Sequence, residues 1–560
     1  LDLVTLTGRT TPGSQVTLMN TGAQTVADGN GDFAFADVPL QLGENLLTIE
    51  AVDLAGNVSP FEAIFTRMAQ SANDPILLWN AVLKDAIVAD TVRVGPTWAS
   101  RASAMVNAAM YDAAMGIVRT HSLYHVDLPA PVGALAQAAA ASAAHHVLVS
   151  LFPLQKPTFD AALAVSLATI PEGAGKSDGI AYGIQVARRI LVLREDDGSE
   201  DLVTYTPGTD PGQWRPTFPN FTAAITPHWG SVTPFTLTSA DQFQAPAPPA
   251  LDSAQYAAAF NEVYELGRID STTRTADQTE MGLFWAYDRF GMGSPVALYE
   301  NVAMTIAQSR GNTFEENTRL FGLLGLSMAD AGIASWETKY VFDLWRPITA
   351  IREADTDGNA DTMADADWLP LGTPAATPST PPFPAYVSGH STFGAALFEA
   401  LKDFYGKDEI AFELTSAELP GVTRQFTSFS QASQENGRSR IYLGVHWNFD
   451  DELGQIMGRQ IADHIDGNYL QAQSSSSVSA MLVNDTGSSD LDGITFDPSI
   501  TGRVYANATV TSLRIGLDVN NPALFVDITG TVLTPINEDE LNSPGNTVAE
   551  IVIDGGYTAR

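Results

Sequence analysis

Residues 388–405 read SGHSTFGAALFEALKDFY. From Thr392 to Tyr405 the apolar residues return at three- and four-residue steps, which predicts an amphipathic helix over that span. Ser388 is the residue type that caps such a helix. With Gly389 and His390 opening it, free backbone N–H groups and the positive end of the helix dipole face whatever lies before them. Gly389 lets that visitor approach the backbone closely. Upstream lie Lys339 and Arg346-Pro347, and downstream lie Ser439-Arg440 and His446, each pair only a few residues apart. The chain has just 29 Lys and Arg among its 560 residues, so three cations in this pattern are not a chance surface. Lysine brings a point charge, arginine a planar fork that grips two oxygens, and histidine can coordinate, attack or shuttle a proton. Together they predict a cage for a tetrahedral oxyanion, phosphate or vanadate.

Helical spacing recurs at Ala99–Val118, Gly133–Leu151, Asp178–Leu193, Tyr256–Gly267, Glu315–Tyr340 and Asp451–Tyr469. Residues 75–470 are therefore expected to form a mainly α-helical bundle that carries the cage. The Pro- and Thr-rich stretch Pro370–Pro384 reads as a long loop feeding Ser388, and such loops are often functional. The two ends read differently. In residues 1–67, Gln15–Leu18 and Leu47–Val52 alternate in polarity, and Asp28-Gly29-Asn30-Gly31-Asp32 is a turn signal. Residues 480–560 follow the serine run Ser474–Ser477, a linker by composition. Thr7-Gly8-Arg9 with Val16-Thr17 recurs as Thr501-Gly502-Arg503 with Val510-Thr511 at equal spacing, which suggests related modules. The expected architecture is multidomain, a helical bundle flanked by two small β-sandwich segments. A chain that opens inside one module and ends soon after Ile551-Val552-Ile553 reads as a piece of a longer repeat protein.

At this length two to four domains are expected. The formal charge of −36, from 29 basic against 65 acidic residues, argues against nucleic acid or an anionic membrane as partner. No apolar run approaches the ~18–20 residues of a membrane span. Cysteine is absent, so disulfides and thiolate metal sites are excluded.

In order and spacing, Lys339 with Arg346-Pro347, Ser388-Gly389-His390, and Ser439-Arg440 with His446 resemble the superfamily joining vanadium-dependent haloperoxidases to type 2 phosphatidic acid phosphatases and bacterial acid phosphatases. The resemblance spans residues 75–470, including Asn80–Tyr111. It implies vanadate as cofactor, with His446 binding vanadium and Lys339, Arg346, Ser388, Gly389 and Arg440 holding its oxygens. It further implies that His390 hydrogen-bonds the opposite apical oxygen and takes a proton from hydrogen peroxide, and that Lys339 polarises the oxidant. A halide ion would then be converted to hypohalous acid, which halogenates a small organic substrate. The phosphatase branch implies an alternative, in which His446 carries the phosphate and His390 protonates the leaving alcohol.

Three further segments resemble the haloperoxidase branch. Trp336, in Ala331-Gly332-Ile333-Ala334-Ser335-Trp336, matches a tryptophan that lines the halide side of the pocket. Phe383 matches an aromatic residue of chloroperoxidases. Asp288, in Phe284-Trp285-Ala286-Tyr287-Asp288, matches an aspartate that pairs with the arginine here numbered Arg440. Val387 departs from the family, which usually has proline before Ser-Gly-His, and so loosens the preset φ of the loop. The segment Asp53–Ser59 resembles bacterial immunoglobulin-like repeats, which occur on exported proteins and imply an extracellular or periplasmic location. A purely structural or adhesive role would fit a damaged cage, and none of Lys339, Arg346 or His446 is replaced.

Smaller features complete the reading. Asp450, one helical turn after His446, is either its partner or a helix cap. Asp355, Asp357, Asn359 and Asp361 have calcium-like spacing, but the glycine is misplaced, so a solvated turn is expected. His145 and His146 point to different helix faces and read as structural.

Overall fold

The computed structural model describes residues 3–39, 43–67, 74–93, 95–288, 291–372 and 380–473, with six short strands between 477 and 553. At the start, β1 (Leu3–Arg9) pairs antiparallel with β4 (Asp32–Pro39). β2 (Gln15–Leu18), β3 (Ala23–Val26), β5 (Gly43–Val52) and β6 (Val58–Arg67) make a second sheet in the order β3-β2-β5-β6. Period-two alternation puts Val16, Leu18, Leu47, Ile49 and Ala51 into a core shared with Leu6 and Phe35. The Asp28–Asp32 turn forms because Asp28 Oδ1 accepts the N–H groups of Asn30 at 2.8 Å and Asp32 at 2.9 Å, with Gly31 at φ +87°.

At the far end, β9 (Ser477–Leu482), β10 (Ile500–Ala506), β13 (Thr534–Pro535) and β14 (Thr547–Ile553) form a sheet ordered β13-β14-β10-β9, and β11 (Arg514–Gly516) pairs with β12 (Phe525–Asp527). Thr501-Gly502-Arg503 lies in β10 as Thr7-Gly8-Arg9 lies in β1. Val510-Thr511 lies outside the described residues, as do Ser474–Ser476 of the expected linker. Ser477 opens a strand.

Between these ends the chain is helical: α1 (Pro75–Ala89), α2 (Pro96–Val118), α3 (Ala136–Leu151), α4 (Lys156–Ala168), α5 (Ala174–Leu193), α6 (Ala254–Leu266), α7 (Ala276–Phe284), α8 (Ser294–Arg310), α9 (Phe314–Phe342), α10 (Pro347–Arg352), α11 (Gly389–Tyr405), α12 (Phe429–Tyr442) and α13 (Asn448–Asn468). One hairpin, β7 (Phe412–Thr415) with β8 (Thr423–Phe426), interrupts them. None of the described helices is long and apolar enough to cross a membrane.

Six helices lack the expected spacing: α1, α4, α7, α8, α10 and α12. α1 is apolar nearly all round, so no single face stands out. α12 is so polar that its apolar stripe is thin; Ser428 starts it by accepting the Gln431 N–H at 3.1 Å, and packing on α11 and α7 holds it. α10 is a short turn with Pro347 in its first position.

α9, α11 and α13 pack on one another at the centre. α11 and α13 meet at Gly458, where an added Cβ would lie 2.3 Å from the Thr392 carbonyl oxygen. That close approach also joins the helix starts, since the Ser388 N–H donates to the Asp450 carbonyl at 3.0 Å.

Candidate active site

α11 begins at Gly389, three residues before the predicted Thr392, because Ser388 caps it: its Oγ accepts the Ser391 N–H at 3.3 Å. A Cβ on Gly389 would lie 3.3 Å from Trp336 Cζ3, closer than side chains ordinarily pack, so glycine lets the indole sit against the helix start. His390 follows in the first turn. Its Nε2 is 3.1 Å from the Trp285 carbonyl oxygen and 3.0 Å from that of Ala286. With two acceptors facing it, Nε2 carries the hydrogen and Nδ1 keeps the lone pair. Burial, then Arg440, pushes this imidazole well below its ordinary value, which favours the neutral form.

Lys339 sits in the last turn of α9, fully buried. Its ammonium donates to the carbonyls of Pro384 and Ala385, both at 3.0 Å, and to that of Val387. These bonds tie down the loop that Val387 was expected to loosen. Burial, then Arg346, pushes the ammonium well below its ordinary value.

Arg346 stands at the N-cap of α10. Its Nε donates to the Phe383 carbonyl at 2.8 Å, and its Nη1 donates to the Val445 carbonyl at 2.8 Å and to His446 Nε2 at 3.0 Å. Burial pushes this guanidinium down to about 9, with Asp450 pulling the other way. Arg440, at the end of α12, donates from Nη1 to the Ala286 carbonyl at 3.2 Å and from Nη2 to Asp288 Oδ2 at 2.5 Å. Burial pushes the Asp288 carboxyl up while Arg440 pulls it down.

His446 lies between α12 and α13, with Nδ1 2.8 Å from Asp450 Oδ2. The same carboxyl oxygen accepts the Trp447 N–H at 3.1 Å, so Asp450 both caps α13 and orients His446. Burial pushes the Asp450 carboxyl up to about 7. Nδ1 carries the His446 hydrogen, and the Nε2 lone pair faces the cations. Burial, then Arg346, pushes His446 well below its ordinary value.

Asp288, Trp336, Phe383, Gly389, His390, Arg440 and His446 line one cleft of about 280 Å3. Lys339, Arg346 and Ser388 stand directly behind that wall. Trp336 and Phe383 lie with ring centroids 4.7 Å apart at 48°. Every residue singled out for the cage thus falls in one cluster. The rest of the wall, including Val88, Arg93, Ile225, Tyr287 and Ser294, was missed. Tyr287 lay within a recognisable segment, and the others carry no motif.

Buried within the cluster, Arg346 Nη2, Arg440 Nε and Trp336 Nε1 have no hydrogen-bond partner among the described residues. Orphaned donors of this kind mark a place where something else accepts. Two guanidinium donors, the nearby charge of the Lys339 ammonium and an imidazole nitrogen suit an oxyanion whose central atom takes a nitrogen ligand. Vanadate fits that donor set.

The remaining candidates stay apart from the site. In the loop of Asp355–Asp361, Asp357 is satisfied by its own neighbours, accepting the Asn359 N–H at 2.8 Å and the Thr362 hydroxyl at 2.8 Å. His145 meets Asp160 at 2.9 Å.

Residues 319–473 match the family described as the VCPO second helical-bundle domain. The chain is 31% identical to a vanadium chloroperoxidase of Curvularia inaequalis, over 67% of this chain and 78% of that protein. A crystal structure of a bacterial vanadium-dependent iodoperoxidase superposes with a TM-score of 0.62 at 27% identity, covering 73% of this chain and 99% of the other. A holo-type bacterial vanadium-dependent chloroperoxidase shares the fold, with a TM-score of 0.54 at 17% identity over 69% of this chain and 95% of the other.

Proposed function

We propose, from the premise that this chain belongs to the vanadium haloperoxidase family, that it binds vanadate and oxidises halide ions with hydrogen peroxide to hypohalous acid. The observation that carries this reading is the pair of buried guanidinium donors left without partners among the described residues, beside His446 Nε2, which accepts from Arg346 Nη1. Vanadate, when bound, supplies a Lewis acid of fixed oxidation state for peroxide.

The chain's own residues do the rest. Arg346 and Arg440 neutralise the oxyanion, and the first N–H groups of α11 face it with the positive end of the helix dipole. His446 would offer Nε2 as ligand in place of the hydrogen bond it accepts from Arg346 Nη1, and Asp450 keeps the hydrogen on Nδ1 so that the lone pair stays at Nε2. His390 holds its lone pair at Nδ1, fixed there by the two carbonyls on Nε2, and takes the proton released by hydrogen peroxide. The three donors of Lys339 are taken by carbonyls, so its contribution is charge, which draws electron density from the oxidant. Trp336 and Phe383 form an apolar wall that keeps water from the side where halide approaches.

The test is monochlorodimedone halogenation with hydrogen peroxide and bromide on metal-free protein, before and after orthovanadate is added. Activity is expected only with vanadate. An inert protein that instead hydrolyses p-nitrophenyl phosphate, with vanadate as inhibitor, would move the assignment to phosphatase.

A further inference from the structure

We propose that a second compartment beside the cleft receives the organic acceptor, and that this acceptor is a neutral, electron-rich aromatic of the phenol class; the proposal rests on the halide-oxidising reading above. Thr217, Phe218, Asn220, Thr222 and Thr380 line a cavity of about 170 Å3 that shares Asp288, Pro381 and Pro382 with the catalytic cleft. Neither space alone reaches the ~300 Å3 at which ordinary small-molecule sites begin, but the two together do. The cage end of the cleft belongs to the oxyanion, so the acceptor belongs in the adjoining space and in the part of the cleft that joins it at Asp288, Pro381 and Pro382.

The lining sets the chemistry. Three hydroxyls and one amide provide hydrogen bonds, and the Phe218 ring with the prolines provides flat apolar surface. No lysine, arginine or histidine lines the cavity among the described residues. Its one charged residue, Asp288, is already paired with Arg440 at 2.5 Å. An anionic acceptor therefore finds no partner there, whereas a phenol finds both a ring platform and a hydroxyl partner. Thr380 is 9% exposed and its Oγ1 is buried without a partner among the described residues, so a rotation about χ1 toward the cavity would let a donor or acceptor on the ligand complete it.

The coupled step balances without another oxidant. The ring carbon of the phenol attacks the halogen of hypohalous acid, a C–X bond forms as the O–X bond breaks, and the displaced ring proton joins the hydroxide as water. Held next to the cleft, the ring meets the halogen in one orientation, which fixes the ratio of ortho to para product.

The experiment measures phenol binding to the full chain without vanadate, by ligand-observed NMR, for the wild type, Thr380→Val, Thr380→Ser and Phe218→Ala. The dissociation constant is expected to rise about fivefold in Thr380→Val, the worth of one neutral hydrogen bond, and further in Phe218→Ala, while Thr380→Ser stays near wild type. Triiodide formation without acceptor should be unchanged in all three. Bromination of phenol by the vanadate-loaded wild type should give an ortho-to-para ratio different from that of free hypobromous acid, and Phe218→Ala should move it toward the free value. Binding unaffected by both Thr380→Val and Phe218→Ala, or a wild-type ratio equal to that of the free reagent, overturns the proposal. A wild type that binds phenol but oxidises no halide would overturn the functional reading instead, because binding is read without vanadate.

Discussion

Asp330 in α9 and Arg346 at the start of α10 are both fully buried, yet the protein treats the two charges differently. Asp330 accepts the N–H groups of Phe235 at 2.7 Å, Thr236 at 2.8 Å and Leu237 at 3.2 Å, and the Thr236 hydroxyl at 2.5 Å. Asp112 repeats the pattern with the N–H groups of Tyr124, His125 and Val126, at 2.7, 2.9 and 2.7 Å. These carboxylates pin loops to helices, and both of their oxygens are engaged. Arg346 and Arg440 each keep a buried donor with no partner among the described residues. A buried charge that the fold satisfies is a fastener, and one that the fold leaves incomplete is a socket.

Two substitutions test whether that division is real. His446→Ala should abolish vanadate-dependent halide oxidation, because it removes the imidazole nitrogen that would bind vanadate, while the urea midpoint stays near wild type. Retained turnover would break the division on the socket side. Asp330→Ala should leave the chemistry of correctly folded molecules intact but cost about 4 kcal/mol of stability, since it strands three buried N–H groups at roughly 1–3 kcal/mol each, partly relieved by relaxation. Urea unfolding measures the loss. A change under about 1 kcal/mol would show that Asp330 is not a fastener.

The socket was legible in the sequence because its chemistry demands particular residue types at short range: Ser388-Gly389-His390 is one helix start, and Arg440 and His446 flank one turn. Asp288 was legible only through its aromatic neighbours. What the sequence hid is the backbone's share. The carbonyls of Trp285 and Ala286 that fix the His390 tautomer, and those of Pro384, Ala385 and Val387 that occupy Lys339, belong to residues whose side chains say nothing about it. α12 escaped because its polar surface hides the packing that places Arg440. The fasteners were invisible for a related reason: Asp330 looks like any helix aspartate until loop 235–237 folds onto it.

Glu300 sharpens the comparison from a third position. It is 1% exposed in α8, with the Ser103 hydroxyl donating to its Oε1, and it has none of the backbone N–H donors that surround Asp330 and Asp112. Burial pushes its carboxyl from the ordinary 4.5 up to about 7. Below about pH 4.5 the group is neutral in both states and its burial costs little. Between 4.5 and 7 the unfolded chain releases the proton while the folded chain holds it, so stability falls as pH rises, and above 7 the loss is complete at about 3 kcal/mol. Glu300→Gln should therefore stabilise the protein at pH 8 by up to that amount and change it little at pH 4.5, as read by urea unfolding at the two pH values. The gain at pH 8 would confirm that Glu300 is a fastener only in its protonated form. An equal effect at both pH values would mean that burial does not raise the Glu300 carboxyl above its unfolded value, and the line between satisfied and unsatisfied burial would have to be drawn elsewhere.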